Sequence, residues 1–152
     1  MKTKKLQIEH LDKRIKVFPS IPDSTIPPHG WVKALRSALG ITLQQIANKL
    51  SITKQSVKEI ELREERGTIT LNSLREVARS MDMDLVYALV PQDSTLSGLI
   101  ERKAREKAIS IVQRASNTMK LEDQENTKER IQQAIDERTI EIINEIPKSL
   151  WD

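Results

Sequence analysis

The chain has 152 residues, of which 31% are charged, 38% hydrophobic and 3% aromatic, with a net charge of +3; this suffices for one compact domain with extensions and excludes a large multidomain enzyme. It contains no Cys, which excludes a disulfide framework, a thiolate metal site and a cysteine nucleophile. The charge is uneven: residues 1–92 carry 15 Lys/Arg against 10 Asp/Glu, and residues 93–152 carry 10 against 12. That split favours a polyanion for the first part and a protein contact or a solvated helix surface for the second.

In chain order, Ile8, Leu11, Ile15 and Phe18 fall on one face of a short helix over residues 6–18. The helix can pack on a neighbouring subunit as readily as on its own. Residues 19–30 then hold four of the six prolines, which predicts an ordered, extended linker. Trp31, Leu35 and Leu39 space the next helix, which Gly40 ends. Thr42 stands three residues before Gln45, a capping-box spacing, and Leu43, Ile46, Ala47 and Leu50 form the buried side of the helix it starts. After a turn at Ser51-Ile52, Thr53 caps a helix in which Val57 and Ile60 face inward and Lys54, Gln55, Ser56, Lys58 and Glu59 face out. Beyond Gly67, Thr70 caps a helix carrying Leu71, Leu74, Val77, Ala78 and Met81. Asp84 to Pro91 is short and rich in β-formers and predicts a strand.

A lone strand needs a partner. Leu85, Val86, Tyr87, Ala88, Leu89 and Val90 can pair with a symmetry mate in a homodimer, and a second strand near the amino terminus would serve equally well. Leu96 to Met119 has the apolar spacing of a long helix, a polar break covers residues 122–127, and a last helix carries Ile131, Ile135, Ile142, Ile143 and Ile146 before Pro147. No run approaches the roughly 18 apolar residues of a membrane span, and the first residues lack the apolar core of a signal peptide. No membrane association and a cytoplasmic location are the expectation.

Residues 42–61, TLQQIANKLSITKQSVKEIE, resemble the Cro-repressor-like helix-turn-helix family. Ala47 must be small where two helices cross closely, while Leu50, Ile52, Val57 and Ile60 fill the angle between them, leaving a polar helix to enter a major groove. Ser51 stands where the family commonly has glycine. Leu43 stands where a phosphate-contacting polar residue is frequent, which passes that role to Gln44. By direct readout, Lys54 suits guanine, Gln55 adenine and Glu59 cytosine, while Thr53, Ser56 and Lys58 reach a base or a phosphate. Arg36, Arg63 and Arg66 are candidate phosphate contacts. The expected fold class is all-α: a five-helix Cro/lambda-repressor-like helix-turn-helix domain, one short dimerising β-strand and a C-terminal helical hairpin. The expected domains are 1–30, an N-terminal helix with its linker; 31–92, the DNA-binding domain with its terminal strand; and 93–152, a helical partner-binding region.

The segments PPHGW, GTITLNSLREVA, DLVYALVP, SNTMKLEDQ and the terminal LWD resemble, together and over nearly the whole chain, the family called mobile mystery protein A. The resemblance implies a bacterial DNA-binding regulator encoded just upstream of a Fic-domain protein, an enzyme class that transfers AMP from ATP to a target hydroxyl. It implies an autorepressor and antitoxin-like partner. Many Fic proteins are held inactive by a helix bearing Ser/Thr-x-x-x-Glu, whose glutamate pairs with an arginine of the Fic site. Thr118 and Glu122 carry that spacing. Ser97 and Glu101 carry it too, so what singles out Thr118 and Glu122 is their place in the SNTMKLEDQ stretch.

Catalysis by the chain itself is not expected. His10 and His29 are the only histidines, and no glycine-rich phosphate loop or metal-ligand cluster occurs in the sequence. Asp82 and Asp84 sit at a helix-to-strand junction, where turn chemistry accounts for them. The expectation is therefore no cofactor, no metal and no small-molecule substrate, with operator DNA, a second copy and a Fic-domain protein as partners. The alternative is an interaction protein that chiefly neutralises a Fic partner, with DNA binding secondary.

Overall fold

The computed structural model of the chain is all-α, and it describes residues 2–18, 25–121 and 127–152. In chain order the helices are α1 (Lys2–Ile15), α2 (Trp31–Ala38), α3 (Leu43–Leu50), α4 (Lys54–Glu65), α5 (Leu71–Ser80), α6 (Leu96–Leu121) and α7 (Lys128–Glu145), followed by a terminal 3-10 turn (Lys148–Trp151). The backbone divides into two compact units: residues 21–87, and residues 1–20 together with 88–152.

In the first unit, α2 to α5 enclose a core of Val32, Ile46, Ala47, Val57, Ile60, Val77 and Met81. Ile46, Ala47 and Val57 have no exposed surface; burying a side chain the size of Val57 contributes about 1.5–3 kcal/mol. Local chemistry fixes the helix ends. The Thr42 hydroxyl accepts from Gln45 N at 3.1 Å while Gln45 Oε1 accepts from Thr42 N at 2.8 Å, a complete capping box. Thr53 and Thr70 accept from the N–H three residues on, at 3.0 and 3.1 Å.

All four helices of this unit close alike. Gly40, Ser51, Gly67 and Asp82 take left-handed conformations. The next N–H then reaches back to a carbonyl five residues earlier, as in Ile52 N to Ala47 O at 3.0 Å and Thr68 N to Arg63 O at 2.9 Å. Asp82 is thus turn chemistry, as its sequence context indicates.

Among the described residues this unit has four helices where the sequence predicts five, because α1 belongs to the other unit. Leu85–Val90 forms no strand within the single chain. No second strand exists among the described residues to complete a ladder, and β-propensity alone cannot supply backbone partners.

In the second unit, α6 and α7 pack along each other around Ile100, Ala104, Ala108, Ile135 and Ile142, with Leu150 of the terminal turn buried beside them. Ala104 and Ala108, one turn apart and with no exposed surface, leave room for the neighbouring backbone to approach. α1 packs on α6 and contributes Ile8 to this core. Its Asp12 accepts from Leu96 N at 2.6 Å, Ser97 N at 3.3 Å and Ser97 Oγ at 2.8 Å, so an aspartate 84 positions away caps α6. Burial raises the pKa of Asp12, but the bonds from Leu96 and Ser97 outweigh it, and the carboxyl ends below the ordinary aspartate value. The N-terminal helix therefore docks on its own chain.

Candidate nucleic-acid interface

α4 is amphipathic by position. Val57, Ile60 and Glu61 are buried, and Lys54, Gln55, Lys58 and Glu59 are exposed. Those four are the side chains read from sequence as base contacts, and they lie along the outer side of one helix. Ser56 differs. It is half-buried, its N–H is held by the Thr53 hydroxyl, and its own hydroxyl lies 2.7 Å from Thr53 Oγ1. Both hydroxyls therefore already serve the cap.

Before α4, Leu43 is half-buried against the core, and its apolar side chain offers no donor to a phosphate. Gln44 is exposed at the start of α3, with Nε2 donating to Asn48 Oδ1 at 2.8 Å. An open groove of about 670 Å³ runs beside α4. Its lining includes Lys33 of α2 and Lys54, Gln55, Lys58, Glu61 and Glu65 of α4. Lys33 was not singled out from sequence. It sits on the polar side of a short helix, where nothing in its spacing distinguishes a groove cation from a solvated one.

The three arginines part ways. Arg36 is engaged internally: Nε donates to Glu61 Oε1 at 2.5 Å, Nη2 to Glu61 Oε2 at 3.3 Å, and Nη1 to the Ile41 carbonyl at 3.2 Å. With side-chain exposures of 16% and 7%, the Arg36–Glu61 pair ties α2 to α4 and corrects the reading of Arg36 as a phosphate contact. Arg63 is half-buried, and its Nε is enclosed without a hydrogen-bond partner. Arg66 is exposed at the end of α4.

The last turn of α4 also holds the start of α2. Glu64 accepts from Trp31 N at 2.7 Å and Val32 N at 2.9 Å, capping a helix whose own N-cap, Gly30, has no side chain. Gly30 is buried at φ 84° and ψ 164°, a backbone region essentially confined to glycine, and a Cβ there would lie 2.7 Å from Glu64 Cδ. Next to it, His29 Nδ1 lies 3.0 Å from Glu65 Oε1. The His29 hydrogen bond is the main cause holding the Glu65 carboxyl below the ordinary glutamate value.

Folding also redistributes charge. Residues 21–87 hold nine Lys/Arg against eight Asp/Glu, and residues 1–20 with 88–152 hold 16 against 14. The basic amino-terminal half seen in sequence thus does not survive as a basic helix-turn-helix unit, because its surplus lies on α1.

In α6, Thr118 is exposed and donates through Oγ1 to the Arg114 carbonyl at 3.0 Å. Glu122 lies outside the described residues. Among the described residues no three His, Asp or Glu side chains gather as metal ligands would, and no helix is long and apolar enough to cross a membrane. Comparison with protein-family models, with curated proteins and with solved structures gives no match.

Proposed function

We propose that the chain is a sequence-specific transcriptional regulator that binds double-stranded operator DNA as a homodimer through α4, with no catalysis of its own. One observation carries this reading. α3 and α4 meet through a left-handed residue at Ser51 and share a core of Ile46, Ala47, Val57 and Ile60, while α4 turns Lys54, Gln55, Lys58 and Glu59 to solvent. A helix so supported offers donors and acceptors of the kinds that pair with base edges. The hairpin unit, with its Thr118–Glu122 segment, is assigned to a Fic-domain AMP-transferase partner on the sequence resemblance, which makes the protein an antitoxin-like autorepressor.

The near-neutral charge of residues 21–87 favours the second reading, a Fic neutraliser in which DNA binding is secondary. Selection from a random duplex pool separates the two. The wild-type chain should enrich a defined site, and Lys54→Ala with Gln55→Ala should abolish that preference while leaving the fold intact, since both side chains are exposed. An unchanged selected site would overturn the base-reading assignment, and no enrichment by the wild type would favour the second reading.

A further inference from the structure

Much of a protein's affinity for a duplex comes from cations that displace condensed counterions from phosphates. The unit carrying α4 is nearly neutral, and part of its positive charge is committed internally. Arg36 holds Glu61, and Lys49 Nζ donates to the Ser80 carbonyl at 2.8 Å. The surplus lies elsewhere. Residues 1–20 carry six Lys/Arg against two Asp/Glu, and one of those acids, Asp12, is buried in the cap of α6.

Docking sets which side of α1 is free. Ile8 enters the α6–α7 core, Asp12 is buried and Ile15 is half-buried. Lys2, Lys4, Lys5, Lys13 and Arg14 are exposed, and no hydrogen bond or ion pair engages their side chains within the described residues. At 100° per residue, Lys2, Lys5 and Lys13 follow one flank, interrupted by Glu9, over about 17 Å of helix at 1.5 Å per residue. Arg14 lies beyond it on the outer side. This is a cationic surface on an ordered helix, held in place by its own chain, with Glu9 as its single exposed acid.

We propose that α1 is a second DNA-contacting surface: Lys2, Lys5, Lys13 and Arg14 pair with duplex phosphates and supply sequence-independent affinity, while α4 selects the sequence. The inference rests on the DNA-binding reading of α4.

The test uses the full chain with Lys2, Lys5, Lys13 and Arg14 all changed to Gln, which retains helix propensity. The reverse swap of Lys→Arg and Arg→Lys at the same positions preserves charge and serves as the second variant. Binding to a labelled duplex of random sequence is followed across a salt titration. The expected result is that the slope of log affinity against log salt falls by three to four, at about 0.9 per lost phosphate contact, in the Gln variant and stays unchanged in the swap. Affinities for the selected site and for random duplex should fall by the same factor. Wild-type binding with the same slope in the Gln variant would overturn the proposal and leave α4 untouched. Failure of the wild type to bind any duplex would overturn the α4 reading and this one together. A Gln variant that keeps its DNA slope but loses binding to polyglutamate would assign α1 to an acidic protein, and also overturns the proposal.

Discussion

Ser51 takes φ 54°, where most helix ends use glycine. A side chain with a Cβ is disfavoured there by about 1–2 kcal/mol, so the serine is tolerated and not optimal. Ser51→Gly should raise stability by about 0.5–1 kcal/mol, less the entropy that glycine adds to the unfolded chain, read as a higher urea midpoint at unchanged m-value. A lower midpoint would mean that the hydroxyl contributes something the geometry does not show. The position of this turn was legible in the sequence, because Ser51-Ile52 falls between two apolar repeats and ahead of a capping threonine. The roles of Glu64 and Asp12 were not. Both occupy charged helix positions that look solvent-facing, and their partners are backbone N–H groups 32 and 84 positions away, which no local pattern encodes. Arg36 reads as a phosphate contact for the same reason, since its partner Glu61 comes from another helix.

Among the elements, α1 is tied to α6 by the Asp12 contact. The Asp12 carboxylate satisfies N–H groups that α6 leaves without intrahelical partners and sits at the positive end of its dipole. Asp12→Asn should cost about 1 kcal/mol at neutral pH. Because the folded carboxyl has a lowered pKa, its stabilisation is fully present above the ordinary aspartate value of 3.8 and is lost as the pH falls through the folded value. Urea unfolding at pH 7 and pH 3 should therefore show the gap between wild type and variant narrowing in acid. A gap that does not change with pH would show that the carboxylate charge is not what holds the contact. The elements themselves are largely readable from apolar spacing and threonine caps. Leu85–Val90 shows the limit of that reading. Its composition favours extended backbone, but no partner that would make it a strand lies among the described residues.

On the scale of the whole molecule, that segment is the proposed route to a dimer. Val86, Tyr87 and Leu89 are 70%, 62% and 91% exposed in the single chain, a run of apolar surface that a symmetric partner would pair and cover. Val86→Pro removes a backbone donor. Sedimentation should then show a dimer for the wild type and a monomer for the variant, with weaker binding to the selected site; a dimeric proline variant would place the interface elsewhere. In the dimer, two copies of α4 would enter successive major grooves about 34 Å apart. The charge split read along the sequence did not predict which unit would carry the positive surplus, because it treated neighbours in sequence as neighbours in space. α1 leaves the half of the chain it belongs to by sequence and completes the other.

That arrangement sets an order of events during synthesis. Residues 21–87 are contiguous, so the helix-turn-helix unit can close as soon as it has left the ribosome, whereas α1 emerges first and has nothing to dock on until Leu96, Ser97 and the α6–α7 core follow. Until they do, α1 is a basic amphipathic segment with Ile8 and Ile15 uncovered, and the unit that closes later must recover a helix made before α2. Contacts closed over so long a span form late, so the carboxy-terminal unit should be the slower of the two to mature.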